Sequence, residues 1–345
     1  MKLNFSQIRS MTTGAVRLTE ESGRIQFHRF TPEQEQHYRQ YQKGVFYDKA
    51  LATAGICLRF RTDSSRLYLK MRMSAGSSRT YYAVDVTVDG QLLGSLDNFS
   101  QVHLQENYPA QSFPLGEISG QFRLGTGEKS VCVFLPWSAK AELLEMELED
   151  GATVIPVKPA QKLLCFGDSI TQGYDALHPM NRYPAILAQA LGAEEYNKGI
   201  GGEIFSPALA ACPDGFLPDY ITVAYGTNDW SVTDEETLAD NSRRFYKTLS
   251  ETYPDGKIFA ITPIWRRDLQ EYRPFGLFKR VAEVIEEAVA QLPNVTAISG
   301  FDFVPQDEAM FADLRLHPND AGFAHYAQNL CQKMEKILDN AENAC

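Results

Sequence analysis

Four short segments of this 345-residue chain carry residue types that can do acyl-transfer chemistry. The first is Lys162 to Gly173, Lys-Leu-Leu-Cys-Phe-Gly-Asp-Ser-Ile-Thr-Gln-Gly. An apolar run, Leu163 to Phe166, breaks at Gly167, sets Asp168 and Ser169 at the break, and continues in residues that can enter a helix. That is a strand–turn–helix with a serine at the turn, beside the N–H groups that open a helix. An oxyanion is stabilised in such a place. Serine is also a common helix N-cap, so this segment alone does not decide between cap and nucleophile. The others are Gly201-Gly202-Glu203, Gly226-Thr227-Asn228-Asp229-Trp230, and Asp313-Leu314-Arg315-Leu316-His317-Pro318-Asn319-Asp320. A serine, a glycine turn, an asparagine and a histidine supply a nucleophile, donors for an oxyanion and a general base.

These segments act together only if the fold brings them to one edge. After about residue 160, apolar strand-like runs alternate with helical patterns. The strands are expected at Leu163–Phe166, Glu195–Gly199, Tyr220–Tyr225, Lys257–Thr262 and Val295–Ile298. The helices are expected at Arg182–Leu191, Asp234–Tyr253, Phe275–Leu292 and from Asp320 onward, with apolar residues at helical spacing. Alternating β and α predicts a parallel sheet covered on both faces, with ligands at the C-terminal ends of its strands. Three of the four segments directly follow predicted strands, and the histidine segment precedes the last helix.

The first half reads differently. Ile56/Leu58/Phe60, Leu67/Leu69/Met71/Met73, Val84/Val86/Val88, Val131/Val133/Leu135 and Leu144/Met146/Leu148 each alternate with other, mostly polar residues. One apolar and one wet face is the pattern of antiparallel sheets. Asp89-Gly90 signals a hairpin. Many short strands predict a β-sandwich, jelly-roll-like, with only Thr31 to Lys43 locally helical. Tyr81, Tyr82, Tyr108 and Trp137 could meet a sugar, but aromatic residues are favoured in strands for packing alone. Two prolines and a change of periodicity between Asp150 and Gln161 place the boundary, giving a β domain over 1–157 and an α/β domain over 158–345.

Composition narrows the partners. A net charge of −11 with no basic run argues against nucleic acid or an anionic membrane surface. No signal-peptide h-region opens the chain and no apolar run reaches about 18 residues, so a cytoplasmic protein without membrane contact is expected. Six cysteines (57, 132, 165, 212, 331, 345) lack any Cys-x-x-Cys pair, and Cys57, Cys132 and Cys165 fall in apparent strands and read as small buried hydrophobes in a reducing compartment. No Gly-x-Gly-x-x-Gly follows the first strand, and no Walker lysine or His-Glu-x-x-His occurs. No metal site and no cofactor is expected, and oligomeric state is not legible.

Gly167-Asp168-Ser169, Asn197 with Gly202 five residues on, Gly226-Thr227-Asn228-Asp229 and His317-Pro318 together resemble the SGNH (GDSL) hydrolase family over residues 160 to 345. The resemblance implies a flavodoxin-like three-layer α/β/α domain with a five-stranded parallel sheet. A sandwich ahead of it resembles, more loosely, two-domain members such as carbohydrate acetyl esterases.

The resemblance implies Ser169 as nucleophile and His317 as base. A neutral hydroxyl needs such a base within hydrogen-bond reach. His178 is nearer in sequence but falls in a loop. The implied oxyanion donors are the backbone N–H groups of Ser169 and Gly202 and the Asn228 amide, with Gly202 preferred to Gly201 by its spacing from Asn197. The family's acid stands three residues before the histidine, where this chain has Leu314. Either Asp313, four before, reaches the ring through a local bulge, or a backbone carbonyl or another acid orients the imidazole. Asp168 is read as structural, its carboxylate taking backbone hydrogen bonds. Tyr225, Trp230, Trp265 and Arg266 fall where the acyl or alcohol group would rest. The expected function is a serine esterase acting on small, O-acetyl esters of carbohydrates, its partner a small-molecule or oligosaccharide ester. The rivals are an acyltransferase using the same acyl-enzyme and a carbohydrate-binding protein with an inactive hydrolase domain.

Overall fold

The structure, a computed structural model, describes residues 1–342. The chain divides into two compact units. One comprises Met1–Ala160, Leu177–Met180 and Glu194–Asn197; the other comprises Gln161–Ala176, Asn181–Ala193 and Lys198 onward.

The first unit holds two antiparallel sheets. One runs Thr12–Thr13, Cys57–Thr62, Lys129–Phe134, Ala83–Val88, Gln91–Asp97, with Ile155–Pro156 also pairing on Cys57–Thr62. The other runs Arg17–Glu21, Arg24–His28, Ala139–Leu148, Arg66–Ala75, Glu117–Arg123. Leu58, Phe60, Val84, Val86, Val131 and Val133 from the first meet Leu67, Leu69, Met71, Ala141, Leu143 and Met146 from the second in one core. The alternation seen in the sequence thus has its cause: every second residue of a strand faces the partner sheet. One expected register is corrected. The ladder shifts between Leu143 and Glu145, and this bulge makes Leu143, not Leu144, the buried partner of Met146. Tyr81, Tyr82, Tyr108 and Trp137 are all buried, and the Tyr81 ring sits edge-on to Phe99, Tyr108, Phe113 and Trp137. Their role is packing. The local helix spans Pro32–Gln40 and ends where Gln42 and Lys43 turn to positive φ.

The second unit is the expected α/β domain. Its strands Gln161–Gly167, Tyr220–Ala224, Lys257–Ile261 and Val295–Ile298 lie side by side in that order and pair in parallel. The helix Glu235–Thr252 shows how sequence sets such an element. Asp234 caps it, accepting the Thr237 N–H at 2.8 Å, while Leu238, Phe245, Tyr246 and Leu249 bury one face. Full burial of each such side chain stabilises by about 1.5–3 kcal/mol. The helix expected from Phe275 begins only at Lys279, because Gly276 takes φ +100° and breaks the helical path. The last helix, Asp320–Glu342, buries Phe323, Tyr326, Leu330 and Met334.

Cys57, Cys132 and Cys165 are buried free thiols, Cys212 and Cys331 are partly exposed thiols, and Cys345 lies outside the described residues. Among the described residues no helix is long and apolar enough to cross a membrane.

Candidate active site

Ser169 stands in the first turn after the strand Gln161–Gly167, opening the short helix Ser169–Gln172. Asp168 caps that helix, its Oδ1 accepting the Ile170 N–H at 2.9 Å. Its expected structural role fits this bond. Burial pushes the Asp168 carboxyl up to about 6, against the opposing pull of the Ile170 hydrogen bond and the charges of His317 and Arg266. Gly167 is required by crowding: a Cβ there would lie 2.1 Å from Thr171 Oγ1 and 2.9 Å from the Ala224 carbonyl.

His317 Nε2 lies 2.9 Å from Ser169 Oγ, and His317 Nδ1 lies 2.8 Å from Asp313 Oδ2. The four-residue spacing is absorbed by a tight loop. Phe311 pairs with Pro318 across its mouth, and the Ala312 N–H donates to the His317 carbonyl at 2.9 Å. Inside the loop Asp313 Oδ1 accepts the N–H groups of Arg315, Leu316 and His317 at 3.0, 2.7 and 3.0 Å. Leu314 takes φ +55°, which is how one extra residue fits. Burial alone would raise the Asp313 carboxyl, but His317 and the loop N–H groups outweigh it and hold the group well below the usual carboxylate range.

Three groups are the expected oxyanion donors. The Ser169 and Gly202 N–H groups make no hydrogen bond among the described residues. Gly201 differs: its N–H donates to Gln172 Oε1 at 2.8 Å, and a Cβ there would meet the Tyr174 hydroxyl at 2.4 Å. Gly202 is exposed at φ +89°. Asn228 Nδ2 donates to the Glu203 carbonyl at 3.0 Å, which uses one of its two hydrogens and fixes the amide. Next to it Asp229 is fully buried and accepts the N–H groups of Phe205 and Gly226 at 3.2 and 3.1 Å. Burial raises the Asp229 carboxyl to about 7, and those two hydrogen bonds oppose the shift.

The four residues expected to line a substrate pocket divide unequally. Tyr225, Trp230 and Arg266 are only 1, 0 and 3% exposed, and their polar groups have protein partners. The Tyr225 hydroxyl donates to Glu203 Oε2 at 3.0 Å and Trp230 Nε1 to the Gly276 carbonyl at 2.9 Å. Arg266 pairs with Asp268 through Nε at 2.5 Å and a second nitrogen at 2.8 Å. It also donates to the Thr227 carbonyl at 3.0 Å, and its guanidinium lies 4.9 Å from the Trp230 ring centre. Arg266 thus holds the Thr227 carbonyl, and all three side chains are buried and leave almost no surface for a substrate. Trp265 alone is partly exposed, its ring 5.4 Å from that of Phe311. His178 pairs with Asp85 at 2.8 Å within the first unit. Asp175, which the sequence did not single out, places its Oδ2 3.4 Å from His317 Nδ1. A buried acid in a loop has no periodic signal that would mark it. Among the described residues, Asp175, Asp313 and His317 are also the group whose donor atoms, all within 4.8 Å of one another, come close enough to hold a metal ion.

Residues 165–325 match the family model described as GDSL-like lipase/acylhydrolase. The comparison with curated proteins finds no match. Among solved structures, the chain is similar to the salicylyl-acyltransferase SsfX3 from a tetracycline biosynthetic pathway, with TM-score 0.76 and 20% identity over 94% of each chain. It is similar to a family two carbohydrate esterase from Cellvibrio japonicus, with TM-score 0.64 and 19% identity over 96% of each chain. A family two carbohydrate esterase from Clostridium thermocellum, solved with cellohexaose, gives TM-score 0.62 and 15% identity over 84% of this chain and 94% of that one. At such identities the likeness is one of fold.

Proposed function

We propose, from the match of residues 165–325 to the GDSL-like lipase/acylhydrolase family, that the chain is a serine esterase working through an acyl-enzyme on Ser169. The observation that carries this reading is the continuous line from Ser169 Oγ through His317 at 2.9 Å to Asp313 at 2.8 Å. His317 Nε2 takes the hydroxyl proton as Oγ adds to the ester carbonyl, while Asp313 fixes the ring and faces the imidazolium that forms. The oxyanion falls to the N–H groups of Ser169 and Gly202 and to the second hydrogen of the Asn228 amide. Collapse expels the alcohol, which receives the proton from His317. Water then attacks the acyl-enzyme along the same path, with His317 as base, and releases the acid.

We assign small acyl groups, O-acetyl above all, on a carbohydrate. What supports this is the fold shared with family two carbohydrate esterases, and Trp265 is the aromatic surface that would meet the sugar. Its replacement by alanine is expected to raise KM with kcat little changed. The test of the main reading is the burst of p-nitrophenol from p-nitrophenyl acetate, which Ser169→Ala must abolish. Retention of the burst in that variant would sink it. A series of acyl lengths, with acetylated xylan and acetylated monosaccharides, tests the substrate class.

A second reading keeps the same acyl-enzyme and replaces water by another alcohol. The likeness to a salicylyl-acyltransferase along 94% of the chain favours keeping it. Product analysis with added alcohols separates the two: an ester product in excess over free acid would mark a transferase.

A further inference from the structure

We propose that Asp175 is a second carboxylate for His317, a positioning residue that shares with Asp313 the task of holding the ring and facing its positive charge. The proposal deepens the serine-esterase reading and rests on it. Its first ground is distance: Asp175 Oδ2 lies 3.4 Å from His317 Nδ1, the same ring nitrogen that Asp313 meets at 2.8 Å. One N–H makes one good hydrogen bond, and that bond goes to Asp313. At 3.4 Å the interaction with Asp175 is a charge contact, which the burial of the Asp175 carboxylate strengthens.

The backbone supplies the second ground. Gly173 ends the helix of Ser169 in the left-handed region, and both Gly173 and Tyr174 donate their N–H groups to the Ser169 carbonyl, at 3.0 and 2.9 Å. The Ala176 N–H then donates to the Gly173 carbonyl at 3.1 Å, closing a turn that folds the chain back at once. Within it Asp175 takes φ +76°, a conformation that among non-glycine residues Asp and Asn adopt most readily. The Tyr174 ring centre lies 5.5 Å from that of His317. The histidine is therefore flanked by two elements: its own loop, carrying Asp313, and the turn that follows the nucleophile, carrying Asp175.

In the acylation step the Ser169 proton moves to His317 Nε2, the Nδ1 proton stays on the ring, and neither carboxylate is protonated. The single positive charge so formed faces two negative ones. Removing one acid leaves the other within reach of the ring, so the two act as partial substitutes.

The test is a double-substitution cycle on the full chain with p-nitrophenyl acetate. Asp175→Asn is expected to lower kcat by about 3–10-fold in the native background and by about 100-fold or more in Asp313→Asn, with KM within about twofold throughout. Equal losses in both backgrounds would overturn the proposal, since a merely structural residue costs the same in each. A second readout leaves Asp175 intact. The downfield proton resonance of His317 Nδ1–H is expected to survive in Asp313→Asn and to vanish in the double variant; its loss in Asp313→Asn alone would also overturn the proposal. Ser169→Ala separates the two levels. If that variant keeps activity, the esterase reading falls. If it loses activity while the cycle shows equal losses, Asp175 alone is discarded.

Discussion

Asp313 stands four residues before His317, yet its Oδ2 meets the ring at 2.8 Å while its Oδ1 gathers three backbone N–H groups of the same loop. One carboxylate thus shapes the loop with one oxygen and orients the base with the other. Asp313→Asn keeps an acceptor for the loop and removes the charge. It is expected to lower kcat by about 10²-fold with KM little changed, short of the roughly 10⁴ lost when a triad has only one acid. Steady-state kinetics on p-nitrophenyl acetate measure it, and near-normal turnover would remove Asp313 from the mechanism.

Leu314 is what makes the longer spacing work, at φ +55°. A left-handed leucine costs about 1–2 kcal/mol, and glycine returns part of that while adding freedom to the unfolded chain. Leu314→Gly is therefore expected to leave kcat intact and to change stability by less than about 1 kcal/mol. Deletion of Leu314 sets Asp313 three residues before His317, the spacing of the resemblance, and is expected to keep measurable turnover. Denaturant unfolding and kinetics on the pair of variants check both statements.

Asn228 has one amide hydrogen anchored on the Glu203 carbonyl. On the proposed mechanism Asn228→Ala removes an oxyanion donor and costs about 10²–10³ in kcat. Asn228→Asp should cost at least as much, because a carboxylate repels the oxyanion. A variant that raised KM alone would show that Asn228 holds substrate and not the developing charge.

Arg266 gives a different expectation. It is buried against Asp268, Thr227 and Trp230. Arg266→Ala removes the nearest cation from buried Asp268, which keeps only Arg273 and Arg315 at 3.5 Å, and should destabilise by up to about 3 kcal/mol. Thermal unfolding would show the loss. A stable variant with raised KM would restore Arg266 as a substrate ligand.

Asp229 predicts a pH effect on stability. Burial holds its folded value at about 7, above the ordinary carboxylate value of 3.8. The sign follows: the folded state binds the proton more tightly, so this contribution is full below 3.8 and is lost as pH rises toward 7, by about 1.4 kcal/mol per pH unit. Above that it is level. Between pH 5 and 8, Asp229→Asn should lose less stability than the native chain, by about 2–3 kcal/mol. Parallel slopes in urea titrations would refute the assignment.

Much of the fold was legible because each half has one dominant period. Two-residue alternation marked Cys57–Thr62 and Arg66–Ala75, and the alternation of strand and helix marked the α/β half. Arg17–Glu21 escaped because it buries no residue fully, and Arg24–His28 because its alternation rests on only two apolar residues, Ile25 and Phe27. Strand ends told which residues reach the edge of the sheet, and so pointed to Ser169, Gly202 and Asn228, while His317 came from its place ahead of the last helix. They did not tell which way a side chain points from that edge. Trp230 and Arg266 follow strand ends and still turn inward, since a large ring and a paired guanidinium find more contact there. Asp175 escaped for the opposite reason: its role depends on the turn that follows the nucleophile, and no spacing in the sequence reports a turn's direction.

The hydrogen bond from Asn228 to the Glu203 carbonyl has a consequence for the temperature dependence of turnover. An amide that must swing into place loses rotational freedom at every catalytic event, and that loss enters the activation entropy. Here the swing is completed when the chain folds, so on the proposed mechanism it is absent from the barrier. A variant that frees the Asn228 amide should then show a more negative activation entropy at nearly unchanged activation enthalpy, a difference that an Eyring plot would display.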